Sequence, residues 1–337
     1  MNYCGLDMGK KSSHFCIVDA NRAIVREGKV TNRPRMLQRV LGKLKPMRIV
    51  VEASTKSFWM ADYLETLGHE VVVVDPGRTK AIGASLIKHD KLDARVLAIL
   101  NQASLLATVS RPTLQERLAR TPIVVRDGLV QGRTKMINTL RSLLDSEGIE
   151  VPASSSKACT GVIRLALELA PPELAVAVAP MLETVDAMTE QITACDKAIE
   201  KAVKSDERMQ RLMTVPGVGP IVASSYVMAV RDPSRFKNGR QVGAYFGLVP
   251  SLYASGKTMR RGRITKCGSA RVRWALAIAA NALLRSKTPS RLRDWGQQLV
   301  QRLGRKKAVV ALARKLASVL WSMWRKEQEF VPMYKAA

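Results

Sequence analysis

Histidine, cysteine and aromatic residues are all scarce in this chain of 337 residues. The sequence holds 3 histidines and 5 cysteines, and aromatic residues make up 5% of it. No two cysteines form a Cys-X-X-Cys pair, and the histidines are spread over positions 14, 69 and 89. A zinc site or a disulfide framework is therefore not expected. Scattered cysteines in odd number are typical of a protein of the reducing cytoplasm.

Long apolar runs are missing as well. We find no stretch of the roughly 18 apolar residues that a membrane-spanning helix needs, and no signal-peptide pattern at the start. We therefore expect no membrane partner and a cytoplasmic, nucleoid-associated location. The hydrophobic content of 47% is ordinary for a globular protein, and the length suits two or three domains.

Acidic residues are nearly absent from the last third of the chain. Residues 231–337 contain 24 Lys and Arg against 4 Asp and Glu, so most of the net charge of +27 lies there. Each phosphate that a protein neutralises releases counterions and adds affinity. The charge distribution therefore predicts a nucleic acid as partner.

The first 105 residues have the pattern of an α/β domain. Three short strands with tight connections are followed by helix, strand, helix, strand and helix, which is the element order of the ribonuclease H-like fold. The predicted strands are Tyr3 to Leu6, His14 to Ala20, Ala23 to Val30, Arg48 to Glu52, and the segment EVVVVD at 70–75.

Four acidic residues fall at positions where this fold places chemistry. Asp7 ends the first predicted strand and Glu52 the fourth, while Asp90 and Asp93 share one face of a helix. Carboxylates that converge at strand ends suit Mg²⁺, and two such ions about 4 Å apart can hold a scissile phosphate. The alternative is that Asp90 and Asp93 only favour a helix N-terminus and that Glu52 is a surface residue.

The middle of the chain is predicted to be helical. Basic residues recur along its first helix at Arg126, Arg133, Lys135 and Arg141, either as a solvated face or as a strip on a nucleic-acid backbone. A small polar segment at 152–158 reads as a linker. After it, apolar residues from Leu182 to Val203 step by three and four, close to a heptad seam. This helix packs on its own domain or pairs with another chain, and we favour self-association.

The last third opens with a helix-hairpin-helix pattern. Apolar segments flank Pro216-Gly217-Val218-Gly219, and glycines there let backbone N–H groups approach a phosphate. The same tetrapeptide also makes plain turns. We predict three parts for the whole chain, at 1–150, 151–205 and 206–337, the last being mostly α-helical.

A serine precedes a strongly basic run. Ser255 stands before Gly256, and the run leads into a helix that starts near Ser269. A serine hydroxyl needs a base or a metal to become a nucleophile, and no histidine is near in sequence. Arginines can stabilise charge on an attacked phosphate. A nucleophile and a plain turn serine both remain open, and Ser251, which lacks the following glycine, ranks behind. The candidate phosphate contacts are Gly217, Gly219, Lys257, Arg260, Arg261, Arg263, Lys266, Arg271 and Arg273.

Five segments in this order resemble the DEDD-type insertion-sequence transposases of the IS110 family. They are GLDMGKKS, VVEAS, KHDKLDARVLA, VPGVGPIVAS and GAYFGLVPSLYASGK with the RRGRITKCGSARVRWAL that follows, and together they span nearly the whole chain. The resemblance implies an N-terminal RuvC-like domain whose four acids are Asp7, Glu52, Asp90 and Asp93. It also implies a helical coiled-coil middle and a nucleophile at Ser255.

The resemblance further implies a function. Such a recombinase cuts and rejoins donor and target DNA through a phosphoserine intermediate, with Mg²⁺ at the acidic site and a non-coding bridge RNA as guide. Homodimers would assemble into tetramers. Two alternatives stay open from the residues alone: a metal-dependent nuclease, similar to a Holliday-junction resolvase, without a covalent intermediate, and a nucleic-acid-binding protein that is not an enzyme.

Overall fold

The chain folds into two compact units, residues 1–114 and 115–337. The computed structural model describes residues 1–77, 90–255 and 258–332. Within these ranges no helix is long and apolar enough to cross a membrane. The three-part division predicted from the sequence stays a prediction.

A mixed five-stranded sheet forms the centre of the first unit, with strand order β3-β2-β1-β4-β5. Tight links make β1, β2 and β3 antiparallel neighbours, whereas helical crossovers make β4 and β5 parallel to β1. The strands are β1 Tyr3–Met8, β2 Ser12–Val18, β3 Ile24–Thr31, β4 Arg48–Glu52 and β5 Glu70–Val74. All five lie where the sequence pattern predicts them.

Helices cover both faces of this sheet. The helices of the first unit are α1 Pro34–Val40, α2 Ser57–Thr66 and α3 Asp90–Gln102. Ile49 and Val51 of β4 pack with α1 and α2, while Val50 between them packs with α3. Because both faces of β4 are covered, its sequence is continuously apolar rather than alternating. This α/β arrangement is consistent with the predicted ribonuclease H/RuvC-like domain.

Two long helices, α4 Leu114–Ser146 and α6 Pro172–Lys204, open the second unit with the short α5 Cys159–Leu167 between them. They run antiparallel: Arg126 Nε donates to Asp196 Oδ1 at 2.5 Å, and Arg133 Nη1 donates to Thr189 Oγ1 at 3.2 Å. The predicted linker falls in the irregular segment between α4 and α5.

The predicted seam of α6 is buried within its own chain. Leu182 and Val185 pack with Leu140 and Leu144 of α4, and Val203 joins the core of the C-terminal helices. The structure therefore corrects our expectation that these residues pair with another chain. Self-association through other surfaces stays a prediction.

The remainder of the second unit is a helical bundle that carries one β-hairpin. Its core surrounds Tyr226, whose hydroxyl donates to the carbonyl of Ala317 at 2.6 Å. The helices are α7 Glu207–Met213, α8 Pro220–Val230, α9 Gly239–Tyr245, α10 Ala270–Arg285, α11 Arg291–Leu303 and α12 Arg305–Lys326, and the hairpin strands are β6 Pro250–Ser255 and β7 Thr258–Ile264.

Candidate functional site

Two of the predicted acids lie near the carboxyl ends of neighbouring parallel strands. The register pairs Leu6 of β1 with Val51 of β4, and Asp7 and Glu52 are the next residues on each strand. Both residues are half-buried. The parallel pairing therefore brings these two carboxylates to the same end of the sheet, as the sequence predicts.

The first turn of helix α3, which carries the other two predicted acids, approaches that end of the sheet. The Asn101 side-chain amide donates to the carbonyls of Cys4 and Arg48, which fixes the end of α3 over the beginnings of β1 and β4. Gly5 then touches the α3 backbone around Ala94. The helix thus runs antiparallel to β1, and its first turn, with Asp90 and half-buried Asp93, approaches the carboxyl end. The side chain of Asp90 lies outside the described part.

An ion-pair clamp holds α3 against the sheet. Glu27 of β3 accepts two hydrogen bonds from Arg95, at 2.7 and 3.0 Å, and pairs with Lys91 at 2.6 Å. These partners lower the pKa of Glu27 to about 2. Since Lys91 and Arg95 are one turn apart on α3, the clamp fixes the rotation of the helix that carries the acids. No local pattern in the sequence indicates this contact.

The residue types at this end of the sheet suit a hard divalent cation. Carboxylate oxygens are the ligands Mg²⁺ prefers, and it often uses only one or two of them, with phosphate and water completing its shell. Among the described side chains, no three His, Cys, Asp or Glu groups lie together as a metal site. In the part of the chain that the structure describes, Asp7, Glu52 and Asp93 therefore do not form a three-carboxylate site.

Ser255 lies at the tip of the β6–β7 hairpin. It pairs in register with Thr258, and only Gly256 and Lys257 stand between these two residues in the sequence. These two residues lie outside the described ranges, and for Ser255 only the backbone is described. The structure thus places the predicted serine at the end of a projecting hairpin, which the sequence had shown only as a glycine turn.

The hairpin exposes both cations and apolar side chains. Arg260, Arg261 and Arg263 of β7 are all exposed, and Tyr253 and Met259 are about two-thirds exposed, at 67% and 65%. Ser251 has a different place, because its hydroxyl donates to the carbonyl of Arg263 at 3.2 Å within the hairpin.

The root of the hairpin is the place where the loop at Gly247 and the loop at Gly268 pack closely against each other. Gly247 and Gly268 both have positive φ, and an added Cβ would lie 2.2 Å from the Cys267 nitrogen and 2.1 Å from the Tyr245 oxygen, respectively. Arg273 donates from Nη1 to the carbonyls of Phe246, Cys267 and Gly268. This predicted phosphate contact therefore has structural partners, whereas Lys266 at the same root is exposed.

Helices α7 and α8 lie on either side of the tetrapeptide 216–219, for which the sequence predicts a helix-hairpin-helix. Gly217 has a φ of +88°, and a Cβ there would lie 2.6 Å from the Ala279 oxygen of α10. Gly219 is the N-cap of α8, and a Cβ there would meet no atom within 4 Å. Of the two predicted glycines, Gly217 thus permits packing, and Gly219 borders open space at a helix N-terminus.

Most of the predicted basic strip on α4 turns inward. Arg126 pairs with Asp196, Arg133 is buried, and Arg141 donates to the carbonyls of Val151 and Pro152. These three side chains hold the helical segments together, which neither predicted alternative had foreseen. Similarly, Arg271 pairs with Asp127 and donates to the carbonyl of Ile123.

Comparisons with known proteins cover both units. Residues 4–148 match the DEDD transposase family of IS110, and residues 209–295 match the family described as transposase IS116/IS110/IS902. The transposase for insertion sequence element IS1111A from Coxiella burnetii is 30% identical over 340 residues, which cover 97% of this chain and 90% of that protein.

The chain belongs to the IS110 family of transposases. A probable family 20 transposase from Pseudomonas aeruginosa is 28% identical over 97% of this chain and 98% of its own length. The transposase for IS1328 from Yersinia enterocolitica is also 28% identical, over 94% and 95%. As a transposase, the protein is an enzyme that acts on DNA. The first matched region contains the four acids, and the second contains Ser255 and the helix-hairpin-helix.

Proposed function

We propose that this transposase cuts and rejoins donor and target DNA through a covalent phosphoserine at Ser255. The observation that carries the proposal is the place of Ser255 at the tip of a cationic hairpin whose root is fixed by tight packing. A projecting tip can reach a phosphate in a DNA backbone, and a rigid root limits the entropy lost when it does so.

The acids of the first unit form the second part of the proposed machinery. Asp7 and Glu52 lie near the carboxyl ends of adjacent parallel strands, and Gly5 and Asn101 fix the helix that carries Asp90 and Asp93. A divalent cation bound by these carboxylates would supply Lewis-acid stabilisation of the phosphate oxygens. Magnesium fits this donor set.

The proposed cleavage step balances as a transesterification. The Ser255 oxygen attacks phosphorus, the bond from phosphorus to one deoxyribose oxygen breaks, and that oxygen leaves as a hydroxyl. The serine proton passes to a carboxylate of the acidic site, of this or another subunit, and a proton from that site or from water goes to the leaving oxygen. Rejoining reverses the step with a hydroxyl of a different strand, and exposed arginines offset the charge on the phosphate.

We further propose that a non-coding RNA guides the enzyme and that homodimers assemble into tetramers. Support comes from the exposed cations of the second unit, where Arg260, Arg261, Arg263 and Lys266 offer contacts to a phosphate backbone, which carries no sequence information itself. Base pairing by a guide would supply the missing sequence readout. A cytoplasmic location stays a prediction.

The decisive experiment looks for DNA bound covalently to protein. The transposase is expressed with the non-coding DNA that flanks its gene, the reaction is stopped in denaturant, and adducts are separated by electrophoresis. We expect an adduct with the wild type and none with Ser255→Ala. Ser251→Ala is the matched control, because Ser251 lies on the same strand and its hydroxyl bonds within the hairpin.

Each alternative function predicts a different result in this assay. Cut DNA without an adduct, unchanged by Ser255→Ala, would replace the proposal with a nuclease that uses the acids alone. DNA binding without cutting, unaffected by Asp93→Asn, would leave a binding protein. Digestion of RNA before the reaction is expected to abolish adduct formation on the target DNA. An unchanged yield of adduct would contradict the proposal that an RNA guides the enzyme.

A further inference from the structure

A second feature of the hairpin root is a pocket of about 930 Å³, bordered by the start of β6, the end of β7, α9 and the helices α11 and α12. Its volume lies in the range of pockets that hold small molecules or single groups of a polymer. It contains none of the residues placed in the proposed cleavage chemistry.

Four cationic side chains line this pocket. Arg240, Lys307, Arg314 and Lys315 all contribute to its wall, and no acidic residue is among the described residues of that wall. In the described part of the chain none of the four forms an ion pair. Positive groups without internal counterions, in a concave site, favour a phosphate ligand.

Aromatic rings line the pocket as well. Trp321 is fixed by a hydrogen bond from Nε1 to the carbonyl of Pro233 at 2.9 Å. Trp295 is 38% exposed, so part of its surface is accessible to a ligand. An aromatic surface beside free cations is the combination that binds unpaired nucleotides, since bases stack on the ring while cations hold the phosphates.

We propose that this pocket binds an unpaired nucleotide of a DNA or RNA strand, with its base on Trp295 and its phosphates on the surrounding cations. The inference rests on the proposed nucleic-acid function and adds a site to it. The six residues of β6 span roughly 17 Å between the pocket and Ser255. At 3.4 Å per nucleotide, that is about five stacked nucleotides from the phosphate at the tip.

The test measures binding of labelled oligonucleotides by fluorescence anisotropy. The affinities of full-length wild type and of Trp295→Ala are compared for three oligonucleotides. Two are single strands of about 15 nucleotides, one of thymidine and one of uridine, and the third is a blunt-ended DNA duplex. We expect Trp295→Ala to weaken single-strand binding about tenfold and duplex binding less than about twofold. Trp295→Phe, which keeps an aromatic face, retains most of the affinity. A loss confined to thymidine or to uridine assigns the pocket to DNA or to RNA.

A matched pair of lysine variants tests the phosphate contacts. Lys307 lines the pocket and its exposed neighbour Lys306 does not. Lys307→Gln is expected to reduce the salt slope of single-strand binding by about 0.7, whereas Lys306→Gln leaves it unchanged. Trp59→Ala, at 41% exposure in the first unit, controls for loss of an exposed tryptophan.

The outcomes separate this inference from the proposed function. Equal single-strand affinities of wild type and Trp295→Ala would overturn the pocket alone. If Trp295→Ala lost equal affinity for duplex and single strand, the pocket would not select an unpaired base. Failure of the wild type to bind any oligonucleotide would instead overturn the proposed nucleic-acid function, and with it the pocket.

Discussion

Glycine at position 5 sets the distance between the central strand and the helix that carries two acids. A Cβ at this position would lie 2.2 Å from the Ala94 oxygen and 2.4 Å from the Ala98 nitrogen, and both are backbone atoms. We predict that Gly5→Ala displaces α3, lowers the free energy of unfolding by about 1–3 kcal/mol, and abolishes transposition. Thermal unfolding and a transposition assay measure the two effects.

The control for this variant is Gly128→Ala. Position 128 lies inside α4, and an added Cβ there would meet no atom within 4 Å. Alanine is the better helix former, so this change is expected to stabilise the protein by about 0.5–1 kcal/mol and to leave activity intact. Full activity of Gly5→Ala would contradict a functional need for the close approach of β1 to α3.

The clamp at Glu27 predicts a pH-dependent contribution to stability. Its folded-state pKa of about 2 lies below the ordinary value of 4.5, so the clamp stabilises fully above pH 4.5 and is lost as pH falls toward 2. We expect Glu27→Gln to lower the melting temperature at about pH 6 and to lower it much less at about pH 3. If the two proteins differed in melting temperature by the same amount at both pH values, the ion pairs would not be the cause of the difference.

Single residues show how far the sequence alone could go. Strand ends could be predicted for Asp7 and Glu52 because apolar runs stop there. The roles of Gly5, Glu27 and Asn101 could not, since each depends on a contact between residues more than 50 positions apart. Local sequence patterns do not predict contacts between positions so far apart.

At the scale of elements, the hairpin root determines where the tip can lie. Arg273 donates to three carbonyls of the crossing loops, so Arg273→Ala leaves these oxygens short of a partner. We predict a loss of about 1–3 kcal/mol in stability and a larger loss of cleavage activity than of DNA affinity. Arg285→Ala, an exposed change on the same helix, is expected to alter neither. Equal activity of the two variants would count against a positioning role.

The pairing of α4 with α6 can be tested by a double-mutant cycle. Arg126 and Asp196 are 16% and 32% exposed, and we predict a coupling free energy of about 1 kcal/mol between them from chemical denaturation. Arg164 and Asp186 join α5 to α6 at the same 2.5 Å distance but are 49% and 41% exposed. The more solvated pair is expected to couple less, and the opposite order would contradict this account.

Elements were predictable where one periodicity dominates. The long helices and the five strands of the first unit follow from spacing, but β6 and β7 were missed because glycine and arginine obscure alternation between Pro250 and Ile264. The seam of α6 was found correctly and its partner was not, because a heptad pattern gives no information about which helix covers it.

At the scale of the whole molecule, charge is the property that the sequence predicts best. If the hairpin contacts phosphates, Arg260, Arg261 and Arg263 changed together to glutamine should reduce the salt slope of duplex binding by up to about 2.7, at about 0.9 for each phosphate. Affinity measured over a series of salt concentrations gives this slope.

The control removes equal charge from the first unit. Arg35, Arg39 and Lys43 are exposed on and beside α1, and their replacement by glutamine lowers the net charge by the same amount. We expect a much smaller change in slope. Equal changes would mean that overall charge, and not the hairpin, sets the affinity.

The two-stranded sheet of the hairpin has an open edge on each side, since β6 and β7 pair only with each other among the described strands. Unpaired N–H and C=O groups on such edges recruit strands from other molecules, and charged side chains are a common protection against this. The arginines of β7 therefore also keep the hairpins of separate copies apart. Beside them, Leu252 and Tyr253 are 57% and 67% exposed on β6. If the hairpin reaches DNA as proposed, its charge also keeps it free of aggregation while no DNA is bound.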